Sequence, residues 1–230
     1  MERIKLGNID IDLTFKEIKN IHLSVHPPLG NVTVSAPKHV DKDIVKVFVI
    51  GKLGWIRKER AKFLNQPREA AKSFVTRESH FFLGKRYLMN AIDSPSQSKV
   101  NLKHNQIDLI TPINSGIEYK SKVLYNWYRR ELRKILVEIV RSWERKMGVS
   151  SESIGIRKMK TKWGSCNSTD GTIWFNIELA KKPKECIEYV VVHELVHLLE
   201  RNHNKRFVLL MNQLLPDWKE RKKQLNELPL

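Results

Sequence analysis

The apolar residues of this chain change period along its length, and the changes divide it into candidate elements. Ile9, Ile11, Leu13 and Phe15 alternate with Asp10, Asp12 and Thr14, the pattern of a strand with one buried face. Residues 22–26 and 31–35 read as two more strands. Pro27-Pro28-Leu29-Gly30 between them is a turn signal, so the pair reads as a hairpin. Asp41 can cap a helix running toward Asn65. Its buried stripe would be Ile44, Val45, Phe48, Trp55, Ile56 and Phe63, with a kink or break at Gly51 and Gly54. Residues 81–89 and 106–110 read as strands on either side of a loop at 94–98.

Beyond residue 115 the period lengthens. Val123, Leu124, Trp127, Tyr128, Leu132, Ile135, Leu136, Ile139, Val140, Trp143 and Met147 recur at three- and four-residue spacing, and Gly148 suits the helix end. Residues 154–163 and 172–179 read as a strand pair about an Asp170-Gly171 turn. A last apolar run begins near Pro183 and Glu185, which suit a first helical turn, and continues through His197. The pattern predicts an α+β chain in two parts. Residues 1–115 form a β-rich basic region with a helix. Residues 116–230 carry a long helix, a small antiparallel sheet and the last apolar helix.

Composition narrows the class. The 230 residues are 41% hydrophobic and 29% charged, as in a globular protein. No apolar run reaches the ~20 residues that span a bilayer, so no membrane partner is expected. The N-terminus has no apolar signal region, and Cys166 and Cys186 form no C-x-x-C pair, so the expected location is cytoplasmic. The net charge of +17 attracts polyanions and allows a nucleic-acid association through the folded surface.

The last apolar run contains His193-Glu194-Leu195-Val196-His197, an H-E-x-x-H motif. Chance places that motif in a chain of this His and Glu content about 2% of the time. Residues four apart share a helix face, so the two imidazoles can meet one metal ion. Glu194 can then serve a metal-activated water as acid and base. This is the chemistry of a zinc hydrolase, with Zn2+ as the expected cofactor. Catalytic zinc takes three protein ligands, and spacing leaves the third open. His203 can reach the metal only if the chain turns sharply after Leu199, which Asn202 could provide by a left-handed backbone. Glu200 lies on the same stripe as both histidines, as ligand or as orienting group. Asp217 and Glu220 are further carboxylate candidates.

Two segments carry a family resemblance. Residues 159–166 (Met-Lys-Thr-Lys-Trp-Gly-Ser-Cys) and 188–203, with the motif inside, closely resemble the YgjP-like metallopeptidase family. That family is zincin-type and related to SprT-like and WLM-type proteins. Leu83-Gly84-Lys85-Arg86-Tyr87, Trp127-Tyr128-Arg129 and Leu215-Pro216-Asp217-Trp218 look like further landmarks. The family's Phe-Trp after the third histidine is Phe207-Val208 here, and its basic N-terminal signature is diluted to residues 16–20. The resemblance implies a zincin-like catalytic half, with His193, His197 and His203 as zinc ligands and Glu194 as catalytic acid and base.

The leading expectation is a zinc metallopeptidase acting on peptide or protein. The strand at 172–179 would hold the substrate extended. Lys160, Lys162, Trp163, Gly164, Ser165 and Asn176 are the candidate substrate contacts. One alternative is a metal-dependent nucleoside triphosphate (UTP) pyrophosphatase, with Lys158, Lys160 and Lys162 receiving phosphates in place of a glycine loop. The other is a DNA-associated protease or a restriction–modification-linked protein, which the charge favours but no DNA-reading module supports.

Overall fold

In the computed structural model, which describes residues 2–26, 29–65 and 72–227, the chain begins with an antiparallel hairpin of β1 (Glu2–Leu6) and β2 (Ile9–Lys16). Only Ile4 of β1 is buried, so that strand lacks the alternation that exposes β2 to sequence reading. β2 pairs parallel with β4 (Asn31–Pro37), which pairs antiparallel with β3 (His22–His26), giving the order β1-β2-β4-β3. The Pro27-Pro28 part of the expected turn and the Phe63 side chain lie outside the described residues. Asp41 caps α1 (Lys42–Ile50) by accepting from the Asp43 N–H at 2.7 Å. The helix breaks at Gly51 and restarts as α2 (Leu53–Asn65). The break resets the helical phase. Val45, Val49 and Ile56 are buried, whereas Ile44 and Trp55 of the expected stripe are 59% and 45% exposed.

These elements form one compact unit, Met1–Pro67, and the rest of the chain forms a second, Arg68–Leu230. The division therefore falls about fifty residues before the expected one at 115. The reason is shared burial. Met89, Val100, Ile107 and Leu109 of the next four strands pack in one core with Leu124, Tyr128, Leu132 and Leu136 of the long helix. Those strands are β5 (Ser79–Phe82), β6 (Lys85–Ser94), β7 (Lys99–Leu102) and β8 (Gln106–Pro112), in the order β5-β6-β8-β7. Their pairing directions match those of the first sheet, strand for strand. The single strand expected at 81–89 is two strands, because Leu83 and Gly84 take φ of 49° and 79° and reverse the chain.

α3 (Ile117–Met147) ends at Gly148, whose φ is 66°. A three-stranded sheet follows, β10-β11-β9, from β9 (Ser153–Arg157), β10 (Gly164–Asn167) and β11 (Thr172–Asn176). The expected strand at 154–163 is β9 and a loop. The partner of β11 across the Asp170-Gly171 turn is β10, while β9 pairs with β11 in parallel. A 3-10 helix, Ile177–Lys181, leads into α4 (Lys184–Val196), α5 (Lys205–Leu214) and α6 (Trp218–Glu227).

α4 is buried nearly all round, as a central core helix must be. It contacts α3, α5, α6 and β10. Glu188 ties three helices together. It accepts from the Trp143 indole N–H at 2.9 Å and pairs with Arg221, which also holds Asp217 at 2.8 Å. The entry to α4 is fixed by the β5–β6 turn, where the Leu83 and Gly84 N–H groups donate to Ala180 and Lys181 at 2.9 and 3.0 Å. No helix among the described residues is long and apolar enough to cross a membrane.

Gly84 meets two constraints at once. Its φ is left-handed, and an added Cβ would stand 2.8 Å from Pro183 Cγ. Gly84→Ala should lower stability by about 1–3 kcal/mol, read as a lower urea midpoint at unchanged slope. A midpoint equal to wild type would mean that this turn does not anchor the start of α4.

Candidate metal centre

The last turn of α4 presents His193 and His197 on one face, as their spacing requires. The helix stops at His197, and the Leu198, Leu199 and Glu200 N–H groups close a tight turn onto Leu195 and Val196. This turn is the reversal the sequence demanded, but Asn202 does not make it with a left-handed backbone. The Glu200 carboxylate accepts from the Asn202 N–H at 3.2 Å, and Asn204 caps α5 by accepting from the Phe207 N–H at 3.0 Å. The side chain of Glu200 thus folds into the loop. Its carbonyl lies 3.1 Å from His197 Nδ1, which leaves His197 Nε2 free to face outward.

The reversal carries His203 back onto the motif. His193 Nε2 and His203 Nε2 stand 3.0 Å apart, and the three histidines offer ligand atoms all within 4.8 Å of one another. Ligand atoms around a tetrahedral zinc with Zn–N near 2.0–2.1 Å stand about 3.3 Å apart, so the trio fits such an ion. Among the described residues no other group of His, Cys, Asp and Glu converges this way. Phe207 packs its ring 4.6–5.0 Å from all three imidazoles. His193 Nδ1 is buried without a hydrogen-bond partner, so packing by Phe207 and Tyr189 orients that ring. Burial, with the neighbouring His197 and His203, pulls the His193 pKa down to about 3, and burial also lowers that of His203. Neutral imidazole is the form that binds metal.

Glu194 is only 5% exposed and points at β10. A Cβ on Gly164 would stand 2.6 Å from Glu194 Oε1, so only glycine lets strand and carboxylate approach this closely. Burial pushes the Glu194 carboxyl up to about 8, against the opposing Lys162 charge and a hydrogen bond from the Cys166 N–H. Burial likewise raises the Cys166 thiol to about 11.

A cleft of about 510 Å³ opens over these groups. Of the expected substrate contacts, Lys162, Trp163, Gly164 and Ser165 line it. Lys160 and Asn176 do not. Asn176 is 4% exposed, and its side chain donates to Met159 and Lys162 carbonyls at 3.0 and 2.8 Å while accepting from the Glu178 N–H at 3.2 Å. It clamps the loop that leads into β10. The strand expected to hold substrate is β11, the middle strand of its sheet. β11 is paired on both sides, whereas β10 is an edge strand and contacts α4. Lys158 lies 3.9 Å from Glu178, so the expected phosphate-receiving lysines do not assemble at the cleft.

Sequence reading missed Tyr189, Arg201 and Lys222, and met Phe207 only in the comparison with the family's Phe-Trp pair. Tyr189 sits four residues before His193, a spacing that could have flagged it. Phe207 and Lys222 come from separate helices, and no spacing ties either to the motif.

No curated protein matches the chain. Among solved structures, the zymogen of abylysin, a metallopeptidase of Pyrococcus abyssi, is 20% identical, with TM-score 0.37. That match covers 39% of this chain and 90% of abylysin. The zymogen of jannalysin, a metallopeptidase of Methanocaldococcus jannaschii, is 22% identical, with TM-score 0.36, over 39% of this chain and 92% of jannalysin. The family match, to a metallopeptidase domain, does not support a nucleotide or nucleic-acid partner. With the H-E-x-x-H helix and its reversal inside the matched residues 19–228, the chain belongs to the YgjP-like family, as its metallopeptidase domain.

Proposed function

We propose that this chain is a zinc-dependent peptidase in which His193, His197 and His203 hold the metal and Glu194 is the acid–base group. One observation carries the reading. Three imidazoles converge beside a buried carboxylate, in a cleft bordered by an edge strand. When bound, zinc would lower the pKa of a coordinated water toward ~7 and polarise the scissile carbonyl. Glu194 takes the proton from the attacking water and delivers it to the departing amine. A carboxyl raised toward neutrality by burial holds and releases a proton readily, as this shuttle needs. The Cys166 N–H and Gly164 fix where the carboxylate sits. The free edge of β10 pairs with an extended peptide main chain and lays the bond to be cut across the histidines.

The full chain loaded with zinc should cleave an unfolded protein substrate. Glu194→Gln should keep its metal and lose about 10²–10⁴-fold in rate. Wild-type rates in Glu194→Gln would exclude Glu194 as the proton carrier. Gly164→Ala tests placement alone. It should keep one metal per chain, by elemental analysis, yet lose about 100-fold in kcat/KM as the carboxylate is pushed aside. Full activity in that variant would mean that the Gly164 contact does not set the geometry.

A further inference from the structure

The cleft has a charge pattern that zinc peptidase chemistry does not require. Three cations line it, and each comes from a different element. Lys162 lies just before β10, Arg201 in the turn after α4, and Lys222 on α6. Glu194 is the sole carboxylate in the lining. The acids nearest in the chain are engaged elsewhere. Glu188 and Asp217 pair with Arg221, Glu200 is held by the Asn202 N–H, and Asp170 accepts from Asn167 at 2.7 Å. Among the described residues, none of the three cleft cations has a carboxylate partner within ion-pair distance.

We propose that the cleft selects peptides that carry a carboxylate next to the bond cut, received by Lys162, Arg201 and Lys222. This deepens the peptidase reading and rests on it. Positive charge reaches the reacting groups from two sides. Lys162, before β10, and Lys222, on α6, line the same cleft as Glu194, His193 and His203. Cations left unpaired in a walled cleft focus their field there and raise the local concentration of anionic ligands. A basic peptide segment meets the same field as repulsion, so the pattern discriminates as well as attracts. The carboxylate can be an Asp or Glu side chain or the free C-terminus of the substrate. Both present the same group to the same cations.

Binding can be read apart from cleavage in zinc-loaded, full-length Glu194→Gln. Fluorescence anisotropy would compare labelled decapeptides that differ only at central positions, carrying Asp/Glu, Asn/Gln or Lys/Arg. Each would be made with a free and with an amidated C-terminus. At low salt the acidic peptide should bind about tenfold tighter than the neutral one, and the basic peptide weaker still. The preference should collapse near 1 M salt, where the Debye length is about 3 Å. Arg201→Glu with Lys222→Glu should reverse the order. Arg145→Glu with Lys122→Glu, both exposed on α3, should keep it and so separate the cleft from the general surface charge. A preference that follows only amidation assigns the carboxylate to the substrate C-terminus, and one that follows only the central residues assigns it to side chains. Equal affinity for all peptides, or a preference untouched by the cleft variants, overturns the proposal. Cleavage by wild type, run in parallel, reads the peptidase assignment separately. Charge-selective binding without any cleavage would contradict that assignment and leave carboxylate recognition standing.

Discussion

Everything at this site depends on one reversal of the chain. A helix can place two histidines on a face, but six residues further along, the same helix would point His203 away from them. The tight turn after His197 removes that conflict. Glu200 sits at its pivot, with its carbonyl at His197 Nδ1 and its carboxylate on the Asn202 N–H. Phe207, from the first turn of α5, fills the space that the reversal creates and contacts all three rings. The loop therefore orients one imidazole by a hydrogen bond and packs the others against a single aromatic wall.

The reversal holds its shape because α4 is clamped along its length. Its start is set by the Gly84 turn against Pro183, its middle by Glu188 between α3 and α6, and its end by Gly164 against Glu194. Each clamp involves a residue whose substitution leaves a clash or a buried charge. The arrangement links burial to chemistry. The same packing that fixes Glu194 strips its carboxylate of water and raises its pKa, and the same packing keeps His193 neutral. α6, tied to α4 through Arg221, brings Lys222 to the cleft, and its Trp218 stacks on Tyr189 of the cleft lining.

The parts of this that were legible in the sequence are those written in local spacing. The H-E-x-x-H pair, the α3 stripe and the caps at Asp41 and Gly148 follow from period and residue type. His203 was open by spacing alone, since Glu200 fitted the stripe as well, and the family resemblance favoured it. Asn176 reads the same in sequence whether it meets substrate or clamps a loop, and it does the second. The strand expected at 154–163 was drawn too long because nothing between Arg157 and Trp163 marks where β9 ends, so β10 stayed hidden. The boundary expected at 115 failed for a different reason. Periodicity finds strands but not the core they join, and β5–β8 share theirs with α3. The matching topology of the two four-stranded sheets lies in backbone pairing and leaves no repeat in the residues.

The cleft's unpaired cations add a property that packing does not explain, and they give the basic character of the chain a local meaning. The central claim remains the three-histidine centre, and X-ray absorption at the zinc edge tests it most directly. In the zinc-loaded full chain the spectrum should fit three imidazole nitrogens at about 2.0–2.1 Å, falling to two in His203→Ala and staying at three in Glu200→Gln. Two imidazoles with a carboxylate oxygen, unchanged in His203→Ala and altered in Glu200→Gln, would contradict the account.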